Sequence, residues 1–233
     1  MASYLSNIGL RAILWSTVVV YFFQSYYFPS VDETFGLFYI TNPNFHVFQF
    51  LTYAFLHVDP VHIIVNLLVL MMVGVELERD IKTMPFLLLN LITVISAGIF
   101  QMIANMISVF LIFGTIDPFE SQIITPELKL ELLLDHGPWL FSMLNSVTIG
   151  ASGAVFGVLT AYAYLYPKKK IYFLSEVSVS TRFIIICYFI LQVYNGFTYA
   201  QNGIAHFAHL GGVISGLLVA MYYKKKYKFN FEL

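Results

Sequence analysis

Runs of about twenty mostly apolar residues recur along this chain, and the gaps between them hold nearly all of its charge. A helix of that length matches the roughly 30 Å hydrocarbon core of a bilayer. Only 11% of the 233 residues are charged and 59% are apolar. A soluble domain carries about a quarter charged residues. The expectation is an all-α, multi-pass integral membrane protein forming one membrane domain over residues 1–233. No short apolar stretch ends in a cleavable small-residue site, so no removable signal peptide is expected. A formal net charge of −1 argues against a nucleic-acid partner. Cys187, alone, can form no internal disulfide.

Six spans can be drawn, at about residues 12–28, 60–77, 86–113, 147–166, 183–200 and 204–223. The second opens with Asp59-Pro60, a helix cap followed by proline at the first helical position. The third is longer than the hydrocarbon core requires and should tilt or project. This count places Arg11, Arg79, Lys82, Arg182, the 168–170 lysines and the C-terminal lysines on one side. Of the Lys and Arg residues, only Lys129 falls on the other. By the positive-inside rule both termini are then cytoplasmic, and the C-terminal lysines lie near anionic lipid. The 114–146 connection contains Thr125-Pro126-Glu127, a helix start, followed by leucines and stopped by Gly137-Pro138. It reads as a short amphipathic helix on the outer surface, or one packed over the bundle.

Polar groups are costly inside a membrane and face the protein interior or a water-filled cavity. His62 and Asn66 share one face of span two. Ser152 lies near the outer end of span four, and His206 and His209 near the outer end of span six. Asn90, Gln101 and Asn105 on span three read as interhelical hydrogen bonds. Gly150-Ala151-Ser152-Gly153 sets a serine among small residues. By itself such a pattern suits close helix packing as well as catalysis. Gly153 and Gly157 on span four, and Gly212 and Gly216 on span six, are small-x-x-x-small stripes. If the stripes face each other, Ser152 meets His209 at matching depth. A histidine that takes the serine proton makes the hydroxyl a nucleophile. His62 and Asn66 can then donate to the developing oxyanion. No acidic residue lies at this depth on spans four or six, so the site reads as a Ser-His dyad.

Four blocks, in order from residue 48 to 216, carry a resemblance. They are Phe48 to Asn66, containing His62-x-x-x-Asn66; Gly74-x-x-x-Glu78; Gly150-Ala151-Ser152-Gly153; and His209-x-x-Gly212-x-x-x-Gly216. The chain resembles the rhomboid intramembrane serine proteases. The resemblance implies a six-helix bundle that cleaves transmembrane-protein substrates near the outer membrane boundary, with no cofactor and no metal. Ser152 is implied as nucleophile and His209 as general base. The oxyanion site is implied to be the Ser152 N–H with His62 and Asn66. Phe156 is implied to pack on the catalytic histidine. Glu78 is implied to close the second helix. Residues 29–57 resemble a partly embedded loop, and span five with the 201–203 loop resembles a gate and cap. Phe48-Gln49 stands where many members have Trp-Arg, and His206 where many have an aromatic. A bacterial plasma membrane suits this minimal layout. The alternatives are an inactive rhomboid-like binder, or a metal transporter using His57, His62, His206 and His209.

Overall fold

The computed structural model describes residues 7–28, 30–117, 143–173, 177–198 and 205–227. The amphipathic stretch expected within 114–146, the 201–203 loop and the adjoining ends of spans five and six lie outside the described residues. The described elements run α1 (Ile8–Tyr26), α2 (Val31–Phe35), α3 (Gln49–Thr52), a 3-10 turn (Tyr53–Phe55), α4 (Pro60–Ile81) and α5 (Thr83–Phe113). They continue with α6 (Ser152–Leu165), β1 (Lys170–Phe173), β2 (Val177–Ser180), α7 (Thr181–Phe197) and α8 (His206–Tyr227). Among the described residues four helices, α1, α4, α5 and α8, are long and apolar enough to cross a membrane. α6 and α7 are shorter apolar helices. The side chains of Trp15, Ile64, Leu68, Met72, Ile103, Ile107, Phe183 and Ile190 are exposed on helix faces. Apolar surface of this kind belongs against lipid.

α6 is the central helix. Eleven of its fourteen residues are buried, as expected for a helix that is apolar on every side. α8 packs along it, α5 lies against both, and α4 and α7 flank it. α6 is shorter than the 147–166 span read from the sequence, because residues 147–151 are not helical. Thr148 instead pairs with Leu37 in an antiparallel bridge, with N–H to O distances of 2.9 and 3.0 Å. At the other end, β1 and β2 form an antiparallel hairpin, Lys170 opposite Ser180, that joins α6 to α7.

The Asp59 side chain caps α4 by accepting the His62 N–H at 2.8 Å, with Pro60 at the first helical position. The Gly74-x-x-x-Glu78 block lies in the last two turns of α4, which continues to Ile81 with the C-cap Lys82 N–H donating to Glu78 O at 2.8 Å, and the Glu78 side chain serves another helix. Glu78, 2% exposed, accepts the N–H groups of Gly9 at 2.9 Å and Leu10 at 2.7 Å. It thereby caps the N-terminus of α1, whose own cap residue, Asn7, makes no side-chain cap bond. A carboxylate is favoured there by the helix dipole. The Thr83 hydroxyl holds the same carboxylate at 2.7 Å. A Cβ on Gly74 would come within 3.0 Å of Leu10, so the glycine one turn earlier lets α1 approach.

On α5, the expected interhelical bonding holds only in part. Gln101 reaches another helix, its Oε1 accepting the Ala208 N–H at 3.1 Å. Asn90 donates to Phe86 O of its own helix at 3.0 Å. Asn105 accepts from Gln101 on the same helix at 2.8 Å. Both of these partners lie four residues away, within one turn of helix and in easier reach than a neighbouring element.

Candidate active site

The segment entering α6 is clasped by the loop between α1 and α4. Besides the Leu37 bridge, the Gly150 N–H donates to Tyr53 O at 2.9 Å. Gly150 has φ +124°, which an L side chain rarely adopts. A Cβ at this position would also lie 2.8 Å from His62 Cε1. Glycine therefore makes the turn possible and lets the His62 ring lie against the backbone just before Ser152.

Gln49 holds the clasp together. It is fully buried, and its Oε1 accepts from Phe38 N at 3.3 Å and His46 N at 3.2 Å. Its Nε2 donates to Thr34 O at 3.1 Å and Asn44 O at 2.9 Å. The Phe48-Gln49 departure thus leaves a residue that cross-links the loop through its amide.

His57 lies beneath the turn, buried, with its ring edge-on to His62 at 5.0 Å. Its Nδ1 faces Phe55 O at 3.4 Å, and its Nε2 accepts the Ala151 N–H at 3.5 Å. Burial, then the adjacent His62, push the His57 pKa down to about 4. A neutral ring is the form able to accept the Ala151 bond. Gln24 of α1 brackets the His57 backbone, accepting its N–H at 3.1 Å and donating to its carbonyl at 2.9 Å. The same Gln24 amide donates to Asp32 at 2.8 Å. Burial raises the Asp32 pKa and the Gln24 bond opposes this.

The glycine stripes of α6 and α8 meet backbone to backbone. A Cβ on Gly212 would fall on the Gly153 carbonyl oxygen, and one on Gly216 on that of Gly157. This contact brings Ser152 Oγ and His209 Nε2 to 2.6 Å. The Phe156 ring lies 5.2 Å from that of His209.

Ser152 is the first residue of α6, so its N–H is among those left without an intrahelical acceptor. Asn66 is 5% exposed, and its Nδ2 is buried without a hydrogen-bond partner among the described residues. A buried unpaired donor costs about 1–3 kcal/mol, so its retention asks for an explanation.

Two residues that the sequence reading missed complete the surroundings of His209. Tyr188 and Gln192 lie four apart on α7. Tyr188 Oη is 2.8 Å and Gln192 Oε1 is 3.0 Å from His209 Nδ1. Tyr188 also stacks on Phe156 at 3.7 Å. His206 Nδ1 lies 2.6 Å from the same Gln192 oxygen. A tyrosine and a glutamine on one face of an apolar span was the available signal, of the kind that singled out His62 and Asn66.

The arrangement defines a membrane-embedded helical bundle with a serine and an imidazole in contact at the start of its central helix, and the His62 ring against the turn that leads into it. The chain matches the Rhomboid domain family over residues 44–226. It belongs to the rhomboid family, whose members are generally intramembrane serine proteases. No curated protein matches the chain.

Proposed function

We propose that this protein is an active intramembrane serine endopeptidase, with six spans and both termini cytoplasmic, cutting transmembrane substrates near the outer boundary. The observation that carries the reading is the 2.6 Å separation of Ser152 Oγ and His209 Nε2. Ser152 attacks the scissile carbonyl carbon as His209 Nε2 takes its proton. The tetrahedral oxyanion accepts from the Ser152 N–H, Asn66 Nδ2 and the His62 ring. Asn66 keeps an unpaired buried donor because its partner arises only during turnover. Collapse expels the amine, which receives the proton from His209. Water, activated by the same imidazole, then hydrolyses the acyl-enzyme and regenerates Ser152. A substrate helix must unwind at the cut, which favours small or helix-breaking residues there. A bacterial plasma membrane is the setting that suits the layout.

The test is cleavage of a single-span substrate by the full chain in liposomes, with fluorophosphonate labelling alongside. We expect turnover and labelling that both vanish in Ser152→Ala and are indifferent to chelators. Folded wild-type protein that neither cleaves nor labels would indicate an inactive binder. Function lost only on chelation would indicate a metal-dependent transporter.

A further inference from the structure

We propose that Gln192 is a positioning residue that selects the tautomer of His209, an inference that rests on the serine-protease reading. A neutral imidazole carries one N–H, and the nitrogen that holds it follows from the partner of the other. To accept the Ser152 proton, Nε2 must be bare and Nδ1 must carry the hydrogen. Among the described residues two groups face Nδ1. The Tyr188 hydroxyl can donate or accept, so it favours neither tautomer. The Gln192 carbonyl oxygen can only accept. With hydrogen on Nε2, a bare Nδ1 would face that oxygen at 3.0 Å, lone pair against lone pair.

The Gln192 oxygen also faces His206 Nδ1 at 2.6 Å. An amide oxygen has two lone pairs, and two Nδ1–H groups fill them. His206 thus engages the amide from one side while His209 uses the other. Gln192 is 4% exposed, so water does not compete freely for the bond. Where a triad would place a carboxylate, this site places a neutral amide on α7. Such a group orients the ring and stabilises the imidazolium through its dipole, without burying a second charge.

The tautomer can be read without turnover. Full-length protein labelled with nitrogen-15 histidine is studied in micelles by ring-nitrogen NMR, His209 being assigned from the signals missing in His209→Ala. We expect the Nδ1–H form in the wild type, a shift toward Nε2–H in Gln192→Leu, and the wild-type form again in Gln192→Glu. Gln192→Met replaces the leucine variant if that protein does not fold. In kinetics with the single-span substrate, Gln192→Leu should lose about tenfold in kcat with KM little changed, since one net hydrogen bond is removed. Gln192→Glu should recover most of that loss. An Nε2–H ring in the wild type, or an Nδ1–H ring that persists in the leucine variant, overturns the proposal. Absence of wild-type cleavage and labelling defeats the protease reading alone, because the ring signals report with or without turnover.

Discussion

The two helices that flank α6 at the site hold it in different ways. α8 meets α6 through backbone, glycine against glycine, over two turns. α7 meets it through side chains, among them Tyr188 stacked on Phe156 and Arg182 donating to Ala163 O. Only four of the seventeen residues of α7 are buried, against eleven of fourteen on α6. Backbone contact fixes the separation of two helices whatever the rotamers do. Contact through side chains can be broken and remade as rotamers change. The Ser152–His209 distance therefore depends on the rigid seam, while the orientation of the imidazole depends on the looser helix.

The largest effect should come from breaking the seam. In Gly212→Val the added carbons have only the Gly153 carbonyl to displace. Overpacking costs about 1–3 kcal/mol where side chains can yield, and backbone yields less. We expect cleavage and fluorophosphonate labelling to disappear together with a large drop in thermal stability in detergent.

Asn66→Ala should separate function from stability. Losing an oxyanion donor costs about 100-fold or more in turnover, some 2.7–4 kcal/mol, with KM little changed. Because Nδ2 is unpaired and buried, its removal also lifts a desolvation penalty, so the melting temperature should hold or rise. Unchanged turnover per folded molecule with lowered stability would assign Asn66 a packing role.

On the α7 side, Phe156→Leu should leave the seam intact and loosen only the stack. A double-mutant cycle with Tyr188→Leu should return a coupling of about 1 kcal/mol in stability. A coupling near zero would mean that α7 is held by something other than this pair.

At neutral pH the smallest effect is that of His57, which emerges only on acidification. His57 titrates near 4 when folded and at its ordinary 6.5 when unfolded. Between those values the unfolded chain binds more protons, so stability falls as pH drops from 6.5 to 4 and levels off below. His57→Gln should flatten that slope in melting curves measured across the window. Asp32, with a raised pKa, slopes the opposite way, just above its ordinary value. A slope unchanged by the substitution would place the titration elsewhere.

Much of this organisation was legible in the sequence because it is written in local chemistry. Asp59-Pro60 could be read as a helix start from the two residues alone. The stripes at Gly153, Gly157, Gly212 and Gly216 announced a close helix contact, though not which helices would meet. What was hidden depends on contacts between distant segments. Nothing near Thr148 reveals that Leu37 will pull it into an extended bridge and delay α6 to Ser152. In the sequence Gln49 reads only as a departure from Trp-Arg, and its four backbone partners come from residues that the fold gathers around it. Gln192 carries no charge and lies on another span, so it does not stand out as an acid on spans four or six would. A carbonyl oxygen on span five can meet the same need.

The carboxylate of Glu78 closes the first turn of a helix that precedes it by almost seventy residues. The first helix enters the membrane during synthesis before the chain has made its cap. Until α4 follows, the N–H groups of Gly9 and Leu10 must find water or headgroup oxygens. Docking of α1 is thus tied to the arrival of a later segment, and the order of assembly runs backward along the chain at this point. A chain cut between α1 and Glu78 would leave an apolar helix free to roam the bilayer with an uncapped end. Replacing Glu78 would penalise assembly before it touched the chemistry at Ser152.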